Sequence, residues 1–286
     1  MEANTFDKLL VALHRLLPAR LLGRLIYRLS RSERVWLKNA LIQGFTALYS
    51  VDLSEAELGE AKAYASFNAF FTRRLKSGAR QITADPTLLL CPADGFIAQT
   101  GRATDGQLLQ AKGMSFSAQQ LLGDDALAAQ LANAPFATVY LAPHNYHRVH
   151  MPAAGVLVQT RFIPGKLYSV NARTAAVIPD LYAINERLVC EFRSPTGPFA
   201  MVLVGAINVA SMTTAWEGEI FPTADGSVIH RRFDDGSVRF EQGDYMGHFN
   251  MGSTVVLIGP PGECTWDNRL TPGKTVWVGE PLGKLA

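Results

Sequence analysis

The sequence predicts an α+β protein, with amphipathic helices at the N-terminus followed by a β-rich body. Three observations carry this. Arg20, Arg24, Arg28 and Arg31 follow at spacings of four, four and three, with Leu21, Leu22, Leu25, Ile26 and Leu29 between them, the pattern of a helix with a cationic ridge and an apolar face. After about residue 85, apolar residues gather into short runs parted by Gly, Pro, Asn and Asp, as in strands joined by tight turns. The 286 residues are 48% hydrophobic and 18% charged, which excludes a disordered chain and leaves ample length for a buried core.

Taken in order, a first helix is expected over about residues 5–16, and it includes Arg15. Pro18 ends it and fits the first turn of the next, because a proline lacks the amide that a helix interior needs. Residues 33–49 and 54–77 continue in helical style, the second opened by a capping box of Ser54 and Glu57. Strands are expected at Leu88–Leu90, Phe136–Leu141, Gly155–Ile163, Leu188–Phe192, Phe199–Ala210, Ser227–Phe233, Thr254–Ile258 and Thr275–Val278. A helical interlude at Ser117–Ala132 interrupts them, and turns are expected at Asp94-Gly95, Asp225-Gly226 and Asp235-Gly236. Pro92-Ala93-Asp94-Gly95 and Val278-Gly279-Glu280-Pro281-Leu282-Gly283 resemble turns of hybrid barrels, so the body is expected to be hybrid-barrel-like. The expected division is a helical, membrane-associating region over 1–62 and a catalytic domain over 63–286.

The net charge of +2 hides an asymmetry: residues 1–38 hold eight basic and three acidic side chains, leaving the remainder net negative. An Arg-rich amphipathic helix suits an anionic bilayer surface, with leucines at the acyl boundary and arginines among phosphates. The other reading is a surface helix packed on its own domain. Nucleic acid is not an expected partner, since aromatic and glycine interleaving is sparse. No run of about 18 uncharged apolar residues marks a membrane span. Charges throughout the first 24 residues argue against a secretory signal, so the mature chain is expected to begin near Met1 and to stay cytoplasmic. Cys91, Cys190 and Cys264 are too widely spaced for a disulfide framework or a zinc site.

Three of the six histidines, His144, His147 and His150, lie between Pro143 and Pro152, which favours a turn or strand over a helix. The HExxH pattern is absent and no metal is expected. General acid–base work is one reading; completing hydrogen bonds at a strand end is the other. Asp94 is either an ordinary turn residue before glycine or a carboxylate that orients a histidine. Met251-Gly252-Ser253-Thr254 enters an apolar run, as many glycine turns do. It also suits self-cleavage: glycine leaves its carbonyl sterically open, and the next hydroxyl can close a small ring onto it once a base removes its proton.

Together, Phe67-Asn68-Ala69-Phe70-Phe71-Thr72-Arg73, Pro92-Ala93-Asp94-Gly95, Tyr146-His147-Arg148-Val149-His150-Met151-Pro152, Pro164-Gly165-Lys166-Leu167-Tyr168-Ser169-Val170-Asn171 and Met251-Gly252-Ser253-Thr254 resemble bacterial phosphatidylserine decarboxylases, in family order. The family pattern has Leu where this chain has Met251, and His144 lies outside it. The resemblance implies a self-processing triad of Asp94, His150 and Ser253, with His150 the base and Asp94 holding its tautomer. Cleavage at Gly252-Ser253 would leave a β chain of residues 1–252 and an α chain of 253–286, the latter capped by a pyruvoyl group made from Ser253. That group would form a Schiff base with phosphatidylserine and release CO₂ to give phosphatidylethanolamine. His147 would act in decarboxylation, as proton donor to the substrate carbon, and Ser169 would contact the serine headgroup. The resemblance also implies a homodimer and a peripheral protein on the cytoplasmic face of the cell membrane.

Two other readings stand beside it. One keeps the pyruvoyl group and changes the substrate to a soluble amino acid or another phosphoserine lipid. The other is a carrier or binding module, which needs a lysine at a hairpin tip between apolar residues; Lys274 follows Pro-Gly and lacks that setting.

Overall fold

The computed structural model describes residues 19–206 and 211–285, and for residues 19–22 and Arg24 the backbone alone. The helix expected over 5–16 lies outside them. Helix α1 spans Ala19–Ser30 and helix α2 spans Val35–Leu48. Leu25, Leu29, Val35 and Trp36 are exposed along this pair. Arg31 departs from the expected ridge: its guanidinium turns inward, pairing with Glu219 and stacking 3.7 Å over the Tyr27 ring. Lys38 is also drawn in, its Nζ donating to the carbonyls of Lys62 at 2.8 Å and Tyr64 at 2.6 Å.

The helix expected over 54–77 does not form. Glu57 N donates to Arg74 O and Lys76 N to Glu55 O, so the amides that would have opened it are spent on a long-range bridge between Ala56 and Leu75. Only a 3₁₀ turn at Ala61–Ala63 and helix α3, Phe67–Phe71, remain. The cap of α3 is Ser66, whose Oγ accepts from Ala69 N at 3.1 Å. Phe67, Phe70 and Phe71 close with Ile42 and Tyr64 into an apolar cluster, against which Met251 packs. The helical segment is thereby seated on the loop that carries the Gly252–Ser253 bond.

The β-rich body has its core in one large antiparallel sheet. Its order is Ile229–Arg232, Gly155–Ile163, Arg187–Ser194, Gly197–Gly205, Ser253–Ile258, Pro135–Leu141, Gly95–Arg102 and Thr275–Val276, with Arg239–Phe240 also pairing Gly155–Ile163. This path is open among the described residues. Ser253–Ile258 lies inside it and every residue is buried, which explains the unbroken apolar run Val255-Val256-Leu257-Ile258. Ser253 stands opposite Leu141 on one side and Gly205 on the other.

A second sheet orders Gly218–Ile220, Met212–Thr214, Tyr245–Phe249 and Arg148–His150. The histidine segment is thus a turn followed by a strand. A third joins Leu88–Leu90, Pro281–Leu285 and Cys264–Trp266. Residues 253–285 therefore contribute strands to two sheets, paired to strands from the preceding chain. A break before Ser253 would leave both pieces in one core.

Two further differences have local causes. The interlude at 117–132 is two helices, Ala118–Leu122 and Asp125–Gln130, because Gly123 turns left-handed at φ 60° and Asp124 Oδ1 then caps Leu127 N at 2.9 Å. Asp94-Gly95 is not a glycine turn. A Cβ at Gly95 would stand 2.3 Å from Tyr140 O, so this glycine permits close approach of two strands. Asp225-Gly226 and Asp235-Gly236 are the expected turns, each with a left-handed glycine and an aspartate oxygen accepting from the serine amide two residues on.

Candidate active site

Ser253 heads its strand with its side chain 1% exposed, and its Oγ is buried without a hydrogen-bond partner among the described residues. A buried hydroxyl left unpaired costs on the order of 1–3 kcal/mol. Ladder partners on both sides fix the backbone of Ser253, so its Cα–Cβ bond has a set direction. It borders a cavity of about 220 Å³ that Tyr49, Phe71, Tyr140, Ser169, Met251 and Gly252 also line. Of the residues expected at the site, Ser169 and Ser253 are thus brought to one cavity.

Asp94 is 1% exposed and holds an elaborate set of partners. Its Oδ1 accepts from Arg80 Nε at 3.0 Å and from Val278 N at 2.9 Å, while Oδ2 takes Arg80 Nη2. Arg80 donates as well to Glu55 at 2.8 Å and lies 4.9 Å over the Trp277 ring. Paired guanidinium donors in this fork geometry satisfy a buried carboxylate that could not otherwise leave water.

The strand Arg148–His150 places His150 opposite Tyr245. His150 Nδ1 donates to Gly243 O at 2.9 Å, which leaves Nε2 as an acceptor, and Tyr146 Oη lies 3.0 Å from it as the donor. The tautomer is set here by the Gly243 carbonyl and not, as expected, by Asp94. The carboxylate acts on the ring through its charge: burial lowers the His150 pKa, and the Gly243 bond and Asp94 oppose that shift. His150 and Tyr146 border a different cavity, of about 440 Å³, which Arg74, Lys76, Arg80 and Arg148 make cationic.

His147 is fully buried, and its Nδ1 donates to Asn145 O at 2.8 Å. Its ring packs 3.9 Å from that of Phe71, which lines the Ser253 cavity, and Nε2 has no partner among the described residues. Burial, with the nearby Arg73 charge adding to it, pushes its pKa down to about 3, so the ring is a neutral base at physiological pH. His144 is part-exposed, with its ring edge-on to Phe96.

Sequence reasoning assigned no part to Arg80, Tyr146 or the Gly243 carbonyl. Tyr146 was legible as the residue before His147 in the histidine motif. Arg80 and Gly243 carry no local signal, because fourteen and ninety-three residues separate them from their partners. Among the described residues no group of His, Cys, Asp and Glu could hold a metal ion.

A glycine–serine peptide at the head of a buried strand, its hydroxyl unpaired beside a cavity whose wall residue Phe71 packs on a buried histidine, is the architecture of a self-processing enzyme precursor. A family model described as phosphatidylserine decarboxylase matches residues 67–284, and one described as PSD matches residues 9–50. A phosphatidylserine decarboxylase proenzyme of Ectopseudomonas mendocina is 47% identical over 281 residues, 97% of this chain and 98% of the relative. Those of Methylococcus capsulatus and Marinobacter nauticus are 43% and 46% identical, covering 96% and 98% of this chain and 96% and 98% of the relatives. The chain belongs to the phosphatidylserine decarboxylase family.

Proposed function

We propose that this chain is a pyruvoyl-dependent phosphatidylserine decarboxylase that makes its own cofactor by cutting Gly252–Ser253. The observation that carries the reading is the unpaired, buried Ser253 Oγ, on the residue that follows an unhindered glycine carbonyl. Attack of Oγ on that carbonyl, with the proton passing to a histidine, breaks the C–N bond and leaves an ester and a free amine. Loss of the Ser253 Cα proton then expels the Gly252 carboxylate and leaves dehydroalanine. Its tautomer takes up water and releases ammonia, which leaves the pyruvoyl carbonyl at the new N-terminus.

The residues present fit this group. The Ser253 cavity is walled by Phe71, Tyr140 and Met251 with Ser169 as a polar contact, a setting that offers a hydroxyl to a serine headgroup. The pyruvoyl group supplies the electron sink for the carbon that loses CO₂, which no side chain provides. From the adjoining cationic cavity, His150 acts as the processing base once Tyr146 releases Nε2 and the ring turns towards Ser253, and Asp94, held by Arg80, stabilises the charged ring. The unengaged Nε2 of His147 takes up a proton and returns it to the substrate carbon. The test is intact mass together with CO₂ release from phosphatidylserine vesicles. Two chains of 252 and 34 residues and release of CO₂ support the reading, whereas one 31.2 kDa chain with an ordinary serine at 253 refutes it.

A lipid substrate places the protein on a membrane, and no described helix is long and apolar enough to cross one. Exposed Leu25, Leu29, Val35 and Trp36, with exposed Arg28, form the docking face on anionic lipid at the cytoplasmic surface. The triple substitution Leu25→Glu, Leu29→Glu and Trp36→Glu lowers co-sedimentation with anionic vesicles at least about tenfold, since each buried apolar side chain contributes roughly 1.5 kcal/mol or more. Undiminished sedimentation contradicts this docking face.

The buried histidines make the fold acid-sensitive. Burial holds His147 near 3 and His248 near 4, against 6.5 for the free side chain. Between these values the unfolded chain binds the protons that the fold excludes, so stability is full above about pH 6.5 and falls as pH drops towards 4. In the Ser253→Ala chain, which stays in one piece, urea titrations are expected to lose up to about 2–3 kcal/mol per pH unit between pH 6 and 4.5, roughly 1.4 per histidine. A flat profile contradicts the burial of these rings as neutral bases.

A further inference from the structure

The scissile peptide hangs between two fixed points. On one side, Ser253 is locked into the ladders with Leu141 and Gly205. On the other, Asn250 is 1% exposed, and its backbone amide donates to Ser211 O at 3.1 Å. Met251 and Gly252 alone lie between. A Cβ at Gly252 would meet nothing within 4 Å, so no close neighbour grips that face of the residue. Upstream, the segment is tied to the fold at Asn250 and by Met251 against the Phe67–Phe71 cluster.

Asn250 is held in turn by a polar network that the reaction chemistry does not explain. Its Nδ2 lies 2.9 Å from both Ser211 Oγ and Thr213 Oγ1 and donates to Glu219 at 3.1 Å, while its Oδ1 accepts from Asn68 Nδ2 at 3.1 Å. Glu219 Oε1 also receives the Ser211 hydroxyl and Arg31 Nη2, and Oε2 receives the Tyr27 hydroxyl at 3.4 Å. One carboxylate therefore gathers donors from helix α1, from the residue beyond it and from the residue two before the cleavage site. Charge-assisted bonds of this kind are shorter and about twice as strong as neutral ones.

Resting on the self-cleavage reading above, we infer that Glu219 is a positioning residue for that cleavage. It holds Asn250, and through it the Gly252 carbonyl, where Ser253 Oγ can reach, and Arg31 holds Glu219. Displacing a reacting carbonyl by about 1 Å costs on the order of a hundredfold in rate.

The test follows cutting of the full-length chain in cell-free synthesis, sampled over time on denaturing gels. Glu219→Gln keeps the shape and loses the charge, and it slows cutting about 10- to 100-fold. Arg31→Met slows it about fivefold or more, and Arg31→Lys restores most of the rate. Because both act through one group, Glu219→Gln with Asn250→Ala cuts no more slowly than the slower single variant. Melting temperatures of the same substitutions in the Ser253→Ala background separate positioning from folding, since positioning slows cutting without a matching loss of stability. Wild-type cutting rates in Glu219→Gln, additive slowing, or slowing that tracks lost stability each overturn the inference. If the unsubstituted chain itself never cuts, the self-cleavage reading fails instead.

Discussion

Ser253→Ala yields one uncut chain of 31.2 kDa where the unsubstituted protein runs as two. The substitution removes a single oxygen from a buried position, and that oxygen has no hydrogen bond to lose. The fold should therefore tolerate it, and stability should stay equal or rise, because an unsatisfied hydroxyl leaves the interior. Processing has no alternative nucleophile at this point. Thr254 also carries a buried unpaired hydroxyl, but it is one residue removed and follows Ser253 rather than glycine. Decarboxylation is expected to disappear with cutting, since the proposed electron sink is made from Ser253. Intact mass decides the matter, and a Ser253→Ala chain that still divides at residue 252 would falsify the assignment of this hydroxyl.

The second large effect separates the two histidines. His150→Ala is expected to leave the precursor uncut over hours, a loss of about 10²–10⁴-fold in keeping with removal of a general base. His147→Ala is expected to cut normally and to lose a similar factor in CO₂ release. The geometry makes the comparison informative. His150 borders the cationic cavity with its Nε2 engaged by Tyr146, whereas His147 packs on Phe71 at the wall of the Ser253 cavity with its Nε2 unengaged. A result in which His147→Ala blocks cutting and His150→Ala spares it exchanges the two roles and makes His147 the processing base.

Much of the architecture was legible in local pattern. Gly155–Ile163 and Leu88–Leu90 appear with the bounds that their apolar runs suggest, and the two aspartate–glycine turns after residue 220 form as expected. What was not legible has a common cause. Residues 54–66 have helical composition, yet Glu57 N donates to Arg74 O and Glu55 O accepts from Lys76 N, and a bond across about twenty residues leaves no trace in a window of ten. The strands Tyr245–Phe249 and Arg148–His150 lack a long apolar run, since each contributes a few residues to a small sheet edged by polar groups.

The candidate site divides in the same way. Residue type and spacing raised Asp94, the histidine segment and Gly252-Ser253 as candidates beside blander readings, and the resemblance to bacterial phosphatidylserine decarboxylases selected Asp94, His147, His150 and Ser253 from them and added Ser169. Arrangement was a different matter. That Gly243 and not Asp94 holds the His150 tautomer, that Arg80 claims both oxygens of Asp94, and that Arg31 leaves the cationic ridge for Glu219 all follow from contacts between residues distant in the chain.

The sequence by itself determined the α+β order and the position of the charge at the N-terminal end and, with the family resemblance, pointed to the bond proposed to be cut. Only the tertiary structure decided which groups face one another there, because a side chain's partner is set by the burial of many residues together. The same reason explains why a break before Ser253 keeps the two pieces together: residues 253–285 run as strands inside sheets begun by the preceding chain, and their buried ladder does not depend on the peptide bond that joins them.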